Sequence, residues 1–154
     1  MRKTLILLVF LIFGNELLFS QKKIWDETKE EKKERMQWWT DARFGMFIHW
    51  GLYAQPARHE WVKSAEKMTN EDYQKYFDVF NPDLYNPHDW AKQAKKAGMK
   101  YAVITAKHHE GFNLFDSKFT DYKSTNTPYG KDILREWVEA FRSEGLKIGF
   151  YYSL

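Results

Sequence analysis

The sequence predicts an α/β chain that forms the N-terminal part of a (β/α)8 barrel. Three short apolar runs, at 44–48, 101–106 and 147–150, read as strands, the second of them apolar enough to be buried on both faces. A unit of amphipathic helix, glycine and strand occurs twice: WVEAFRSEGLKIGFYY repeats WAKQAKKAGMKYAVIT, with Trp90 and Trp137, Gly98 and Gly145, and Lys100 and Lys147 each 47 residues apart. Such a repeat predicts successive parallel strands joined by right-handed crossovers. The third observation is one-sidedness, since the carboxyl ends of the three runs carry His49 and Trp50, His108 and His109, and Tyr151 and Tyr152. A barrel collects its chemistry at that end, and an open flavodoxin-like sheet does something similar. HWGLYAQP after the first strand has a single glycine, which disfavours the nucleotide-binding version of the open sheet.

Composition narrows the functional classes. The 154 residues are 44% hydrophobic and 29% charged with net charge +3, the profile of a globular chain. Basic residues are interleaved with acidic ones, so no one-signed block favours nucleic acid. The absence of cysteine rules out disulfides, thiolate metal sites and a cysteine nucleophile. Aromatic content is high, 18% with seven tryptophans, and aromatic faces both fill cores and line sites for ligands with flat apolar faces, sugars among them.

Taken in order, residues 1–20 have the form of a secretory leader. Arg2 and Lys3 precede an apolar run from Leu5 to Phe13, and a small residue at Ser20 sets a cut before Gln21. The expected location is therefore secreted or periplasmic, with no membrane span once the leader is removed. Residues 21–40 are expected to form a charged helix through EEKKERMQWW, capped by Asp26, its charge run a solvated face. The first strand ends in His49, and the loop GLYAQPARHEW brings Glu60 and Trp61. A helix follows from near Asn70 with Tyr73, Tyr76, Phe77 and Phe80 on one face. Asn86 then caps a helix with Pro87 in its first turn and an apolar stripe of Trp90, Ala94 and Ala97. The second strand runs into His108, His109, Glu110 and Gly111, and a long loop over 110–130 extends the carboxyl face, where binding sites are built.

FGMFIHWG, HEW, AKHHEGF continuing through Phe119, Thr120 and Asp121, and GLKIGFYYS resemble, in order and spacing, the N-terminal part of the catalytic barrel of α-L-fucosidases, glycoside hydrolase family 29. The resemblance covers residues 37–154, so 41–154 is expected to be a partial catalytic barrel. It implies an exo-acting, retaining hydrolysis of terminal α-L-fucosyl residues, a fucosylated glycan as partner and no cofactor. Carried over, His49, Glu60, Trp61, His108, His109 and Tyr151 line the fucose pocket. Glu110 stands where the family often has Asp. The family's nucleophile, an Asp at the end of the next strand, and its acid/base would both follow Leu154. The chain is thus expected to be truncated after about its third strand, and to be unstable and inactive in isolation because three strands leave two open edges.

Two other readings come from different classes. A non-catalytic carbohydrate-binding remnant would keep the sugar wall without the carboxylates. A metal-dependent barrel hydrolase would need zinc held among His49, His108, His109 and Glu110, but HxH and HExxH spacings are absent, and adjacent histidines on an extended strand point apart.

Overall fold

The computed structural model describes residues 26–154, and the leader expected at 1–20 lies outside them. The chain divides into two compact units, Met1–Asp41 and Ala42–Leu154. The first contains most of helix α1 (Lys29–Ala42). No residue of α1 is buried: its first half is dense in Lys and Glu, and Trp38 and Trp39 in its second half are 39% and 42% exposed. Its cap is Thr28, not Asp26. Glu31 N–H donates to the Thr28 hydroxyl at 3.2 Å and Thr28 N–H donates to the Glu31 carboxylate at 2.8 Å, a reciprocal box in which each side chain satisfies an otherwise orphaned amide.

The second unit carries three parallel strands in the order β1 (Gly45–Ile48), β2 (Tyr101–Lys107), β3 (Lys147–Tyr152). Between β1 and β2 the chain forms a 3-10 turn, Leu52–Ala54, a short helix α2 (Val62–Ala65), α3 (Asn70–Asp78) and α4 (Pro87–Lys96); α5 (Ile133–Ser143) precedes β3. The observed sheet is small, parallel and helix-flanked, which is an α/β arrangement. The three longer helices of this unit, α3, α4 and α5, start where a side chain can take up a first-turn amide: Thr69 accepts from Asp72 N–H, Asn86 from Asp89 N–H and Asp132 from Arg135 N–H. In α4 the buried alanines are Ala91 and Ala94, while Ala97 is exposed at the C-cap. The expected stripe is therefore displaced, because the helix ends one residue before Ala97.

Pairing is in register across the sheet, with Ile48 opposite Ile104 and Ile104 opposite Phe150. On one face Ala102, Ile104 and Ala106 are fully buried in the core that holds Trp137, Ile133, Phe141 and Ala94. On the other, Tyr101 and Val103 are half-buried and Phe47 is 54% exposed. The expectation of a strand covered on both faces is met on one only, since no layer among the described residues lies over the second. The two repeats also differ: Trp137 is 0% exposed and stacks on Phe141 at 4.6 Å, whereas Trp90 is half-buried against Trp50 and Tyr85. Gly98 and Gly145 both take positive φ, 86° and 71°, to reverse the chain from helix into strand.

The 110–130 loop folds back on the sheet. Leu114 N–H donates to the Ala106 carbonyl and Ser124 N–H to that of Asn113, while Phe112 and Leu114 are buried and Tyr122 stacks on Phe77 at 5.2 Å. The loop is thus a packed wall beside the carboxyl end of β2. Trp137→Ala is expected to destabilise the folded protein by about 3–5 kcal/mol, and Trp90→Ala by less than half as much. Urea denaturation of the two variants checks this; equal losses would contradict the difference in burial.

Candidate active site

The site begins where β1 ends. Trp50 N–H donates to the Thr105 hydroxyl at 2.8 Å, and that hydroxyl donates back to the Trp50 carbonyl at 2.5 Å. One buried side chain in the middle of an apolar strand therefore staples the end of β1 to β2. The same hydroxyl lies 3.3 Å from the Tyr53 hydroxyl, which reaches Nδ1 of His49 at 2.8 Å. His49, exposed by itself, is held by a tyrosine that the 3-10 turn delivers four residues later.

β2 has a register irregularity between Thr105 and Lys107 and then stops. A bulge of this kind re-aims the side chains that follow it. Gly111 N–H donates to the His108 carbonyl, so His108 and His109 sit in a turn rather than on an extended strand. Their rings consequently come together, 4.6 Å between centroids, and do not point apart as strand geometry predicts. His108 is buried, 4.8 Å from the His49 ring and 5.1 Å from that of Tyr53. His109 is clamped on three sides: Trp61 stacks on it at 4.6 Å, Ser153 Oγ lies 2.7 Å from its Nδ1, and Tyr151 OH lies 3.4 Å from its Nε2. Tyr151, opposite Thr105 in the register, also reaches the rings of Phe47 and His49, 6.3 Å away in both cases.

Glu60 and Trp61 line a cleft of about 350 Å³ together with Lys63, His108, His109 and Glu110. Glu60 is exposed on its rim and Trp61 is 46% exposed, a flat apolar face turned outward. All six residues named from the sequence are therefore at one end of the sheet. Five of them, His49, Trp61, His108, His109 and Tyr151, are joined by ring contacts, and Glu60 acts on His108 through its charge. Tyr53, Thr105 and Ser153 were not singled out. The signals for them were present but faint: a hydroxyl inside an apolar strand, and a tyrosine and a serine each close to a motif residue. Among the described residues no group of three or more His, Asp or Glu is arranged to hold a metal ion.

Electrostatics separate the two histidine neighbours. Burial, with the nearby His49 and His109, lowers the His108 pKa to about 4, so its ring is neutral at physiological pH. Burial raises Glu110 to about 7, with its own backbone N–H and Lys63 pulling weakly the other way. Both side chains are 5% exposed, and His108 Nδ1 stands 3.3 Å from Glu110 Oε2. That contact is out of line for a hydrogen bond as placed, and neither the nitrogen nor either carboxyl oxygen has another hydrogen-bond partner.

Glu110 has a folded pKa above its unfolded value of 4.5, so its stabilising contribution is complete below about pH 4.5 and is lost as pH rises through about 7. His108 has a folded pKa below 6.5, so its contribution is present above that value and is lost as pH falls through about 4. The two slopes oppose one another where they overlap, which leaves Glu110 in control on the alkaline side. Melting temperature should therefore fall between about pH 6 and 8, and Glu110→Gln should flatten that fall. An unchanged slope in the variant would show that other groups govern it.

The sequence matches the family profile described as Alpha-L-fucosidase over residues 13–154. It is 30% identical to the α-L-fucosidase of Dictyostelium discoideum, the match covering 97% of this chain and 38% of that protein. Among solved structures, α-L-fucosidase isoenzyme 1 from Paenibacillus thiaminolyticus superposes with a TM-score of 0.77 at 65% identity, over 79% of this chain and 29% of that one. A family 29 α-L-fucosidase from Bacteroides thetaiotaomicron, trapped as a covalent intermediate in complex with 2-fluoro-fucosyl fluoride, gives 0.74 at 45% identity over 77% and 30%. The chain thus spans about a third of the length of the curated relatives it matches. With the four motifs, the parallel α/β sheet and the profile match in agreement, the chain belongs to the α-L-fucosidase family.

Proposed function

We propose that these residues form the fucose-binding wall of an exo-acting, retaining α-L-fucosidase that releases terminal α-L-fucosyl residues from glycans or glycoconjugates. The observation that carries this reading is the convergence of three histidines, a tyrosine and an outward-facing tryptophan at the carboxyl ends of parallel strands. A fucosyl ring presents several hydroxyls and one methyl group. Neutral imidazoles donate to and accept from hydroxyls without placing a net charge on the sugar, and Trp61 offers the apolar face that a methyl-bearing ring needs. Glu60 at the rim adds an anionic acceptor.

In this reading β1 to β3 are the first three strands of a closed (β/α)8 barrel, and the half-covered face of the sheet becomes its interior. Retention requires two carboxyl groups, one attacking the anomeric carbon and one first protonating the leaving oxygen and then activating water. The covalent intermediate trapped in the Bacteroides relative supports that course. Both groups come from the part of the relatives' length that this chain does not span, and here Glu60 serves the pocket. The leader fits export to the periplasm or outside the cell, where fucosylated glycans are met. N-terminal sequencing of the mature protein should begin at Gln21; a first residue elsewhere would displace the cut.

The full-length polypeptide containing these residues should release the chromophore from a chromogenic α-L-fucoside. His49→Ala or Trp61→Ala should then reduce kcat/KM by about 10-fold or more, the loss expected when a hydrogen-bonding or stacking partner of the sugar is removed. A folded full-length protein inactive on fucosides yet able to bind L-fucose would favour the sugar-binding remnant instead.

A further inference from the structure

Glu110 is a buried carboxyl group with no assigned task. It is lodged between His108 and the glycine of the HWG motif, where a Cβ added at Gly51 would come within 2.9 Å of Glu110 Oε1. Its other oxygen stands 3.3 Å from His108 Nδ1, and neither that nitrogen nor either carboxyl oxygen has a hydrogen-bond partner. A buried carboxyl next to one nitrogen of a neutral imidazole leaves few arrangements of protons, because unpaired polar atoms in such a place are costly. Nδ1 is the only ring nitrogen of His108 that is buried without a partner; the ring lines the cleft that holds Trp61 and His109.

We propose that Glu110 is a positioning residue whose carboxyl group, by turning its 3.3 Å contact with His108 Nδ1 into a hydrogen bond, decides which ring nitrogen carries the proton and so whether Nε2 donates to or accepts from a sugar hydroxyl. With the carboxyl protonated, its O–H donates to Nδ1, and the single imidazole proton sits on Nε2 as a donor. When the pair loses one proton, the carboxyl proton passes to Nδ1, which donates to the carboxylate, while the Nε2 proton leaves to solvent. His108 stays neutral in both states, and its outer nitrogen changes from donor to acceptor. The groups facing the pair are Lys63 from α2, Tyr73 from α3, Tyr53 from the 3-10 turn and Tyr122 from the loop, with His49, His109, Glu60 and, from β3, Tyr151 around the His108 ring. Lys63, the one cation among them, favours the carboxylate, and the low polarity of the site opposes it. That balance puts the exchange close to neutrality, in agreement with the raised Glu110 value. Which sugar atom Nε2 meets rests on the fucosidase reading; the tautomer exchange itself does not.

The test is a long-range 15N–1H correlation spectrum of the full-length protein labelled with 15N-histidine, assigned through His108→Asn and recorded from about pH 5 to 8. In the wild type, His108 Nδ1 should pass from an unprotonated to a protonated signal as pH rises, with Nε2 doing the reverse. Glu110→Gln, whose amide donates as the carboxylic acid does, should hold the Nε2-protonated form throughout, and Glu110→Leu should abolish the exchange. In an active enzyme, Glu110→Gln should also remove at least half of the pH-dependent change in KM between pH 6 and 8 while kcat keeps its profile. A His108 tautomer that stays fixed across the range in the wild type, or that exchanges equally in Glu110→Gln, would overturn the proposal. Exchange in a protein that shows no fucosidase activity would support it and sink only the fucosidase reading.

Discussion

The arrangement depends on one constraint: β2 is paired in parallel on both edges, in a register that brings the carboxyl ends of β1, β2 and β3 level. Ile48, Ile104 and Phe150 lie side by side, and Thr105 is opposite Tyr151. Parallel pairing requires each connection to cross the sheet and return, so the helices stack on one face and the loops gather at the ends. Once the strand ends are level, His49, His108 and Tyr151, far apart in sequence, share one small volume.

Thr105 tightens that constraint locally. Its hydroxyl both accepts from and donates to the backbone of Trp50, so the chain leaving β1 is fixed to β2 before it turns. The turn then places Tyr53 against His49 and packs Gly51 close to Glu110. Trp50 faces away from this cluster into a second aromatic group, with Tyr85, Phe80 and Trp90. The polar and apolar aromatics thus divide across one dipeptide: His49 serves the site and Trp50 anchors the wall behind it.

Burial does the remaining work. The site's middle histidine is the buried one, and its neighbours on both sides are exposed. A ring in that position is kept neutral and is held by packing, while exposed His49 and His109 are held by hydroxyl partners from Tyr53, Ser153 and Tyr151. Rigid placement by two different means suits the recognition of a small polar ring, whose hydroxyls are distinguished by direction more than by size.

The sequence by itself determined the strands, the repeat, the caps at Asn86 and the polar residues at the carboxyl ends, because these follow from local periodicity and from the conformational preferences of glycine, proline and asparagine. It also determined the motif residues, which matched a family in order and spacing. It misread Asp26 as a cap where Thr28 and Glu31 form the box, since several capping residues stood within reach and only the geometry chose among them. Only the tertiary structure decided that His108 and His109 lie together, because a bulge and a turn override strand alternation there. The clamp of His109 and the lodging of Glu110 were likewise decided by contacts between residues more than forty positions apart in sequence, which no local pattern encodes.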